Sequence, residues 1–564
     1  MKKRVFFTLL SVCLLGFPGQ ADAQLSTNEE PVSFNMLQKQ EINLKPVSMP
    51  VLNMAKIAEE DKEDEEYDMP LRFGFPHRVN FDLTNSGTWQ TLPNGDKLWQ
   101  LNVVCPGALS VNFCYDKFWI PEGGKLFIYT KDRKHSIGAF TSQNNKGSRE
   151  NLRGFATGLV YGNDVILEYY QPKEVTLDAV ISIEYVVHGY RYIKFDEKSF
   201  GNSGNCMVNV NCEEGEDWQN EKKAVARIII EGAYYCTGAL VTTTNLSGEP
   251  FFLTANHCIK NVGDATGDAD LDYTFFYWNY EAPGCSNVNV EPTLISTSGA
   301  KILANNTYSD FALLKLTEDP QMLPNYTPYY LGWDCSGLCG EQGVCIHHPK
   351  GDVKKISTVA QNPVSSDYLD NGESSDGTHW RVMWRSTLNG NGTTEGGSSG
   401  SPLFNSDHLV IGQLHGGYSG CGEDVCLPDW YGKFDLSWSY DNSIYRSLSS
   451  WLDSLNVGNN TMEGLLIVKT VCAISEDMQN YGNIRITNSG ELTIHNSVEL
   501  MGNSRVIVEP GGQLIIDGGT LSNVELALMP GSVLRVINGG TIETRNGFTA
   551  PIGSVVDVEY GQIL

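Results

Sequence analysis

The chain has 564 residues, 41% of them hydrophobic, which is enough for roughly three or four domains with packed cores. Its formal net charge of −27 argues against a nucleic-acid partner, because the phosphates would be repelled. The one stretch that is long and apolar enough to meet a membrane lies at the start of the chain.

Residues 1–23 have the pattern of a secretory signal peptide. A basic head at residues 2–4 precedes an apolar stretch at residues 5–17 that is too short to span a bilayer. Residues 21–23 (Ala-Asp-Ala) fit a cleavage site, so the mature chain is predicted to begin at Gln24. We therefore expect a secreted or extracellular protein, without a transmembrane segment after signal removal, whose cysteines favour disulfides.

Residues 24–66 show little periodicity and are predicted to be an acidic linker. The segment from Glu59 to Asp68 is almost entirely acidic. We interpret it as a solvated stretch that is held open by its own charge repulsion. A calcium site or a docking patch for basic surfaces is the alternative.

Residues 67–197 are typical of an antiparallel β-sandwich. Short β-branched and aromatic segments alternate there with Gly, Pro and Asn, as in residues 98–105, 124–130, 164–170 and 179–190. Cys105 and Cys114 are close enough in sequence to close a hairpin-sized loop within this region.

Residues 199–455 are again strand-rich, and they contain a candidate nucleophile, Ser399, in the sequence GGSSGSPLF. A serine that attacks a carbonyl needs a sharp backbone turn whose N–H groups face the developing oxyanion. Gly397 lacks a Cβ and can adopt such angles, so the N–H groups of Gly397 and Ser399 are predicted to form the oxyanion hole. The α/β-hydrolase elbow is excluded, because the glycine that it needs two residues after the nucleophile is Ser401 here.

His257 and Asp310 are the candidate base and orienting carboxylate. His257 follows the apolar run FFLTA and precedes Cys258, and a disulfide from Cys258 to Cys236 would tie the histidine loop to the wall of a barrel. Asp310 stands at the head of the apolar strand FALLKL, where a buried carboxylate can orient an imidazole. The order His, Asp, Ser, with spacings of roughly 50 and 90 residues, is the chymotrypsin order.

Residues 199–455 resemble the bacterial lysyl endopeptidases, a branch of the chymotrypsin-like serine proteases. Further phrases carry the resemblance, namely NSGNC (202–206), YWNYEAPGC (277–285), IHHPKGDVKKIS (346–357) and GQLHGG (412–417). The resemblance implies a mostly β fold, a chymotrypsin-like double β-barrel. It also implies acyl transfer without a cofactor or a metal.

The resemblance also implies three disulfides, Cys206–Cys421, Cys212–Cys285 and Cys236–Cys258. The additional cysteines of the region are Cys335, Cys339, Cys345 and Cys426. The first three of these, with His347 and His348 nearby, have spacings compatible with a zinc site. In an exported domain, two further disulfides are favoured over that alternative.

The charged residue expected in the substrate pocket does not lie at the position usual for trypsin-like enzymes. Trypsin-like enzymes have a pocket Asp shortly before the nucleophile, where this chain has the neutral Thr393. The resemblance instead assigns Asp429, in DWYGK, to a substrate ammonium, with His415 and Gly416 also binding substrate. In the family a tryptophan stacks on the pocket histidine, and the candidates for that role here are Tyr368 and Trp380.

Ser398 bears on activation. It stands just before the nucleophile, where trypsin-like zymogens have an Asp that receives the new amino terminus. Because Ser398 carries no charge, that ion pair is not expected. We predict that residues 67–197 are a propeptide, removed by cleavage near Lys198 or Gly201.

Residues 460–564 are predicted to form a small β-solenoid-like repeat domain. PGGQLIIDGGTL (510–521) recurs as PGSVLRVINGGTI (530–542), about 20 residues later. A stalk or export module, in contact with a cell surface or with export machinery, is the favoured role. Before this region, residues 445–455 have helical spacing and predict a closing helix.

The sequence therefore predicts a β-sandwich prodomain, a double β-barrel and a repeat domain. The predicted function is that of a secreted serine endopeptidase, which cuts protein or peptide substrates after Lys and also after Arg. Two alternatives stay open at this point. One is a non-catalytic surface binding protein on a protease fold, and the other is a protease with non-basic specificity.

Overall fold

The computed structural model describes residues 29–36, 44–66, 69–191, 203–259, 270–287, 292, 294–323, 326–370, 377–441 and 443–564. The predicted signal peptide and the predicted cleavage positions Lys198 and Gly201 lie outside the described residues. In the part of the chain that is described, no helix has the length and apolar character needed to cross a membrane.

A β-sandwich forms the first region, called here the sandwich region. Its strands, β1 to β12 in chain order, are Val47–Ser48, Leu71–Arg72, Gly74–Asp82, Thr88–Thr91, Lys97–Val104, Ser110–Trp119, Lys125–Thr130, Ser136–Phe140, Arg153–Ala156, Val160–Tyr161, Asp164–Gln171 and Val180–Gly189. One sheet has the order β1-β5-β11-β7-β8 and the other β10-β6-β12-β3. Alternate residues such as Leu101, Val103, Val165 and Leu167 are buried between them.

The acidic segment differs from the predicted extended linker. Residues Met54–Glu66 form the helix α1, and Asp61 within it is only 6% exposed. The Asp61 carboxylate accepts hydrogen bonds from Arg72 Nε at 2.8 Å and from Arg191 Nη2 at 2.7 Å. Pairing with two guanidinium groups offsets the repulsion between neighbouring carboxylates, and this is why the segment folds.

The predicted loop disulfide between Cys105 and Cys114 is not formed, since both residues are buried thiols. Cys105 follows β5 of one sheet, and Cys114 lies within β6 of the other. The two side chains belong to different apolar clusters. They therefore pack as small apolar groups.

The second region, called here the central region, is a double β-barrel. Its strands, β13 to β29, are Val208–Asn209, Val225–Ile230, Tyr234–Leu240, Phe251–Ala255, Phe275–Trp278, Ile295–Ser298, Ala300–Asn306, Phe311–Leu316, Tyr329–Tyr330, Gly332–Asp334, Val344–His347, Lys355–Thr358, Val364–Ser366, His379–Val382, Pro402–Phe404, Leu409–Gly417 and Asp429–Lys433. The first barrel has the strand order β18-β17-β14-β15-β16-β20-β19, and β2 of the sandwich region pairs with β15. The second has the order β13-β24-β23-β27-β28-β29-β26-β25.

Helices are short in the central region. They are α2, Phe434–Trp438, and α3, Ser449–Leu452. The predicted closing helix over residues 445–455 is therefore a single turn, in which Leu448 and Leu452 are buried as its spacing indicates, whereas Leu455 lies beyond its end and is 59% exposed. The turn ends where the Asp453 carboxylate accepts the N–H of Val457 at 3.0 Å, which redirects the chain.

Parallel strands form the third region, called here the solenoid region. Its strands, β30 to β43, are Thr461–Met462, Gly464–Val468, Val471–Ile474, Met478–Asn480, Gly482–Ile486, Glu491–Ile494, Ser497–Leu500, Arg505–Val508, Gln513–Asp517, Thr520–Leu528, Val533–Ile537, Thr541–Thr544, Val555–Glu559 and Gln562–Ile563. The two sequence repeats stack in register, with Gln513 opposite Val533. Gly511, at a φ of 82°, donates its N–H to Gly531 O at 2.9 Å. The predicted β-solenoid is thus confirmed.

The solenoid region packs directly on the central region. Its first long strand, β31, pairs with β21, and Arg485 donates to the carbonyl oxygen of Leu246 at 2.9 Å. The ring of Tyr481 stacks on the imidazole of His408 with centroids 3.6 Å apart, and His408 stacks in turn on Trp218 at 3.8 Å. The two regions therefore share a packed boundary.

Tyr481→Ala is expected to destabilise the central region, because it removes one face of the aromatic stack around His408. The loss in the free energy of unfolding should be about 2 kcal/mol, measured by urea unfolding with tryptophan fluorescence. Tyr560→Ala is the matched control, since Tyr560 is 85% exposed. Equal effects of the two variants would contradict a stabilising boundary.

Candidate active site

Strand pairing brings the candidate base and carboxylate together. His257 follows β16 and Asp310 precedes β20, and these two strands pair with Ala255 opposite Phe311. His257 Nδ1 lies 2.7 Å from Asp310 Oδ2, and the His257 N–H donates to Asp310 Oδ1 at 2.9 Å. Two contacts to one carboxylate fix both the backbone and the ring of the histidine.

The Asp310 carboxyl is almost completely buried, at 2% exposure. Burial favours the neutral acid, but the neighbouring His415 and His257, together with hydrogen bonds from His257, outweigh it and lower the pKa of Asp310 below its ordinary value. Asp310 is therefore ionised at neutral pH. An anion at this place stabilises positive charge on the adjacent imidazole.

Ser399 lies next to the histidine loop. The Thr237 N–H donates to Ser399 O at 2.8 Å. The sulfur of Cys258 is 3.7 Å from that same oxygen and 3.9 Å from His257 Nε2. Both candidate residues therefore flank one sulfur of the Cys236–Cys258 disulfide.

The three disulfides that the resemblance implied are present in the structure. They are Cys206–Cys421, Cys212–Cys285 and Cys236–Cys258. The last joins β15 to the loop after β16, so it holds the histidine against the first barrel.

The predicted oxyanion hole lies on a turn that requires glycine. Gly397 has a φ of 92°, and a Cβ placed on it would lie 3.2 Å from His348 O and from Lys350 N. Within the described residues, the N–H groups of Gly397 and Ser399 donate no hydrogen bond to the protein. Lys350 supports the turn, since its N–H donates to Gly396 O at 2.7 Å.

Ser398 is held by a histidine. His347 Nδ1 lies 2.8 Å from Ser398 Oγ, and His347 Nε2 lies 3.1 Å from Ser357 Oγ. Burial, with a smaller contribution from nearby Lys355, lowers the pKa of His347 to about 3. A neutral imidazole thus anchors the residue before the candidate nucleophile.

The prediction of two further disulfides in the central region is wrong. The additional cysteines of the central region, Cys335, Cys339, Cys345 and Cys426, are thiols. Groups of three potential metal ligands within 4.8 Å of one another, among the described residues, are Cys236–His257–Cys258 and His257–Asp310–His415. Neither group includes an additional cysteine, so nothing supports the zinc alternative.

Asp429 is completely buried, at 0% exposure, beside the glycines that follow His415. Its carboxylate accepts from Trp384 Nε1 at 2.6 Å, from Thr394 Oγ1 at 2.7 Å and from both the N–H and the hydroxyl of Ser419. Burial exceeds the effect of these donors and raises the pKa of Asp429 above its ordinary value.

Two glycines of β28 pair with the strand that carries this carboxylate. Gly417 pairs with Asp429 across the β28–β29 ladder, and Gly416 pairs with Trp430. A Cβ on Gly417 would lie 2.1 Å from Asp429 Oδ1. Thr393, at the usual trypsin position, is buried and donates to Ser419 Oγ instead.

His415 lies beside the candidate pair of His257 and Asp310. Its Nε2 lies 3.7 Å from Asp310 Oδ2, and the ring of Tyr368 stacks on it with centroids 3.6 Å apart and an interplanar angle of 7°. Of the two candidates for the ring that stacks on His415, Tyr368 therefore fills that role. Trp380 instead donates to Ile411 O at 3.0 Å.

His379 also belongs to the candidate site, although the sequence did not predict it. Its Nε2 lies 3.0 Å from His415 Nδ1, and its Nδ1 lies 2.6 Å from Thr378 Oγ1. Burial chiefly lowers the pKa of His379 to about 3, so it is neutral. The residue lies on β26, where a histidine in a buried strand carries no local motif that marks it as part of a site.

The double barrel and the grouping of His257, Asp310 and Ser399 define a fold of the chymotrypsin-like serine protease type. Residues 200–432 match the family described as "Lysyl endopeptidase, C-terminal domain". The resemblance of this region to the lysyl endopeptidases is thus confirmed.

A curated relative matches the same part of the chain. The Lysyl endopeptidase of Pseudomonas aeruginosa is 32% identical over 268 residues, which cover 45% of this chain and 52% of that protein. The chain therefore spans about half the length of the curated relative that it matches.

Solved structures give weaker likenesses. A Glu endopeptidase in complex with MPD is 16% identical, covers 42% of this chain and 94% of its own, and has a TM-score of 0.25. A thermostable serine protease from an extremophilic microorganism is 13% identical, covers 38% of this chain and 92% of its own, and has a TM-score of 0.25.

Asp310→Asn is expected to change how stability depends on pH. The ionised carboxylate, with its lowered pKa, contributes stability that is present above pH 3.8 and is lost as the pH falls through the folded-state pKa. Below pH 3.8, the free energy of unfolding should therefore fall less steeply for Asp310→Asn than for the unmodified chain.

Urea unfolding at a series of pH values, in a Ser399→Ala background, measures this difference. The exposed Asp557→Asn is the control and should follow the parent. Parallel pH profiles of the parent and Asp310→Asn would show that Asp310 is not held ionised by its histidines.

Proposed function

We propose that this protein is a serine endopeptidase, with Ser399 as nucleophile, His257 as general base and Asp310 as the group that orients the base. The contact of 2.7 Å between His257 Nδ1 and the buried Asp310, beside Ser399, is the observation that carries the proposal. The relative named Lysyl endopeptidase supports it.

In the proposed mechanism, Ser399 Oγ attacks the peptide carbonyl carbon while His257 Nε2 takes its proton. Asp310 stabilises the imidazolium through Nδ1–H. The oxyanion accepts hydrogen bonds from the N–H groups of Gly397 and Ser399. His257 then protonates the leaving amine, the acyl-enzyme forms, and water repeats the sequence to release the acid.

The proposed specificity is for a basic residue before the scissile bond. The desolvated carboxylate of Asp429 lies directly against Gly417, where a Cβ would be only 2.1 Å from Oδ1. A substrate ammonium would compensate a buried charge that has only neutral donors around it, whereas an apolar side chain would leave that charge uncompensated. The stacked Tyr368 and His415 form a flat wall beside the pocket and suit the chain of lysine or the plane of arginine.

Further parts of the proposal concern maturation and location. We infer that the chain is secreted through residues 1–23 and that the sandwich region is a propeptide. The solenoid region then stays with the mature enzyme as a stalk or export module, since its packed boundary with the central region favours retention. The stacked imidazole of His408 belongs to that boundary.

A fluorophosphonate probe is expected to label Ser399, because its hydroxyl is activated by His257. Mass spectrometry of the labelled peptide identifies the residue. Ser399→Ala and His257→Ala should abolish labelling. Residues 417–420 (Gly-Tyr-Ser-Gly) repeat the Gly-x-Ser-Gly pattern of residues 397–400, and Ser419→Ala should leave the label on Ser399. A chain that stays unlabelled under all conditions would be a non-catalytic binding protein.

Asp429→Asn is expected to lower kcat/KM for peptides with lysine before the cut by about a thousandfold, because the ammonium loses its buried counter-charge. Peptides with norleucine at that position should be hydrolysed no more slowly than by the parent, since the variant removes a charge that their apolar chain leaves uncompensated. Asp424→Asn, at an exposed position close in sequence, is the control. An equal loss for both peptides would contradict the role of Asp429 in specificity.

A further inference from the structure

A strand from the sandwich region enters the first barrel beside the candidate nucleophile. The strand β2 pairs antiparallel with the start of β15, with Leu71 opposite Tyr235. Phe73 extends the pairing, because its N–H donates to Ala233 O at 2.9 Å and its ring stacks on Tyr235 with centroids 4.4 Å apart. A segment of the N-terminal region thus covers an edge of the barrel.

The direction of this strand matches one half of a bound substrate. The strand β15 continues from Tyr235 to Thr237, whose N–H donates to Ser399 O at 2.8 Å. Since β2 runs antiparallel to β15, the N-terminal end of residues 69–72 lies nearest Ser399 and the chain then leads away from it. Substrate residues that follow the scissile bond leave a nucleophile in the same direction.

Leu71 also fills space next to the oxyanion hole. A Cβ placed on Gly396 would lie 3.5 Å from Leu71 Cβ and 3.6 Å from Leu71 Cδ1. Gly396 directly precedes Gly397, whose N–H belongs to the predicted hole. A substrate side chain cannot occupy this place while Leu71 does, because packed groups exclude each other at such distances.

The helix α1 clamps the strand from outside. Arg72 donates from Nε to Asp61 at 2.8 Å and from Nη2 to Glu60 at 3.1 Å, and the hydroxyl of Tyr190 donates to Asp61 at 2.8 Å. The Met69 N–H donates to Asp64 O at 3.0 Å. Met69 is therefore held against the last turn of α1.

A second clamp joins the sandwich and central regions away from the cleft. Arg153 donates to both oxygens of Asp272, at 2.8 and 2.7 Å. The hydroxyl of Tyr273 donates to Glu184 at 2.8 Å. Bidentate pairing of this kind fixes geometry as well as adding affinity, so the two regions are joined at a second place besides β2.

We propose that residues 69–72 are a built-in inhibitory strand, which occupies the half of the substrate cleft that receives residues after the scissile bond. The inference rests on the proposed function, since it needs an active Ser399. The described contacts of Asp429 come from Trp384, Thr394 and Ser419 and from none of residues 69–72. The intact chain thus keeps its pocket for a basic residue and excludes long peptides.

Leu71→Asp tests the proposal in the intact chain, whose integrity is checked by mass spectrometry during the assay. An uncompensated charge against Gly396 weakens strand docking, so hydrolysis of a peptide with lysine and four following residues should rise about tenfold. Hydrolysis of a lysyl p-nitroanilide, which has no residues after the cut, should change less than about twofold. Leu177→Asp is the control, at a position of the sandwich region that is 50% exposed.

Arg72→Ala is a second variant that loosens the clamp and keeps the apolar contact, and it decides the matter if circular dichroism shows Leu71→Asp to be unfolded. A rise in peptide hydrolysis by the folded variants supports the inhibitory strand. Labelling of Ser399 by the fluorophosphonate, with peptide rates equal in the parent and both variants, overturns it. A complete lack of labelling identifies a failure of the proposed function instead, and the inference falls with it.

Discussion

The buried carboxylate of Asp310 is the group on which the site depends. It lies 2.7 Å from Nδ1 of His257 and 3.7 Å from Nε2 of His415, so one anion is shared by the proposed general base and by the histidine proposed to line the substrate pocket. Neutral His379 and the ring of Tyr368 hold His415 on its other sides. The imidazole rings of His257 and His415 are thus electrostatically coupled through a single carboxylate.

Each region of the chain supports that arrangement by a different interaction. Pairing of β16 with β20 sets the distance between His257 and Asp310, and the Cys236–Cys258 disulfide holds the histidine loop against β15. The sandwich region adds β2 to the same barrel. The solenoid region pairs its strand β31 with β21 of the central region. Loss of packing in any of the three regions is therefore expected to disturb the positions of the site residues through these strand contacts.

The sequence predicted what depends on local spacing or on a strong likeness. Repeats about 20 residues apart indicated the solenoid, because a rung and its neighbour pair in register. It did not predict what depends on distant partners. The acidic helix forms because Asp61 meets Arg191, which is far along the chain. The additional cysteines remain thiols because disulfides require proximity in space, and β2 is a two-residue strand without periodicity of its own.

The parallel stacking of the solenoid region has a geometric consequence. Its rungs start from β21, a strand of the central region, and each later rung rests on the one before it. Every additional rung would extend the molecule by about 4.8 Å, the spacing of paired strands, while leaving the earlier rungs in place. The length of the solenoid region can therefore change by whole repeats without any change in the shape of the cleft.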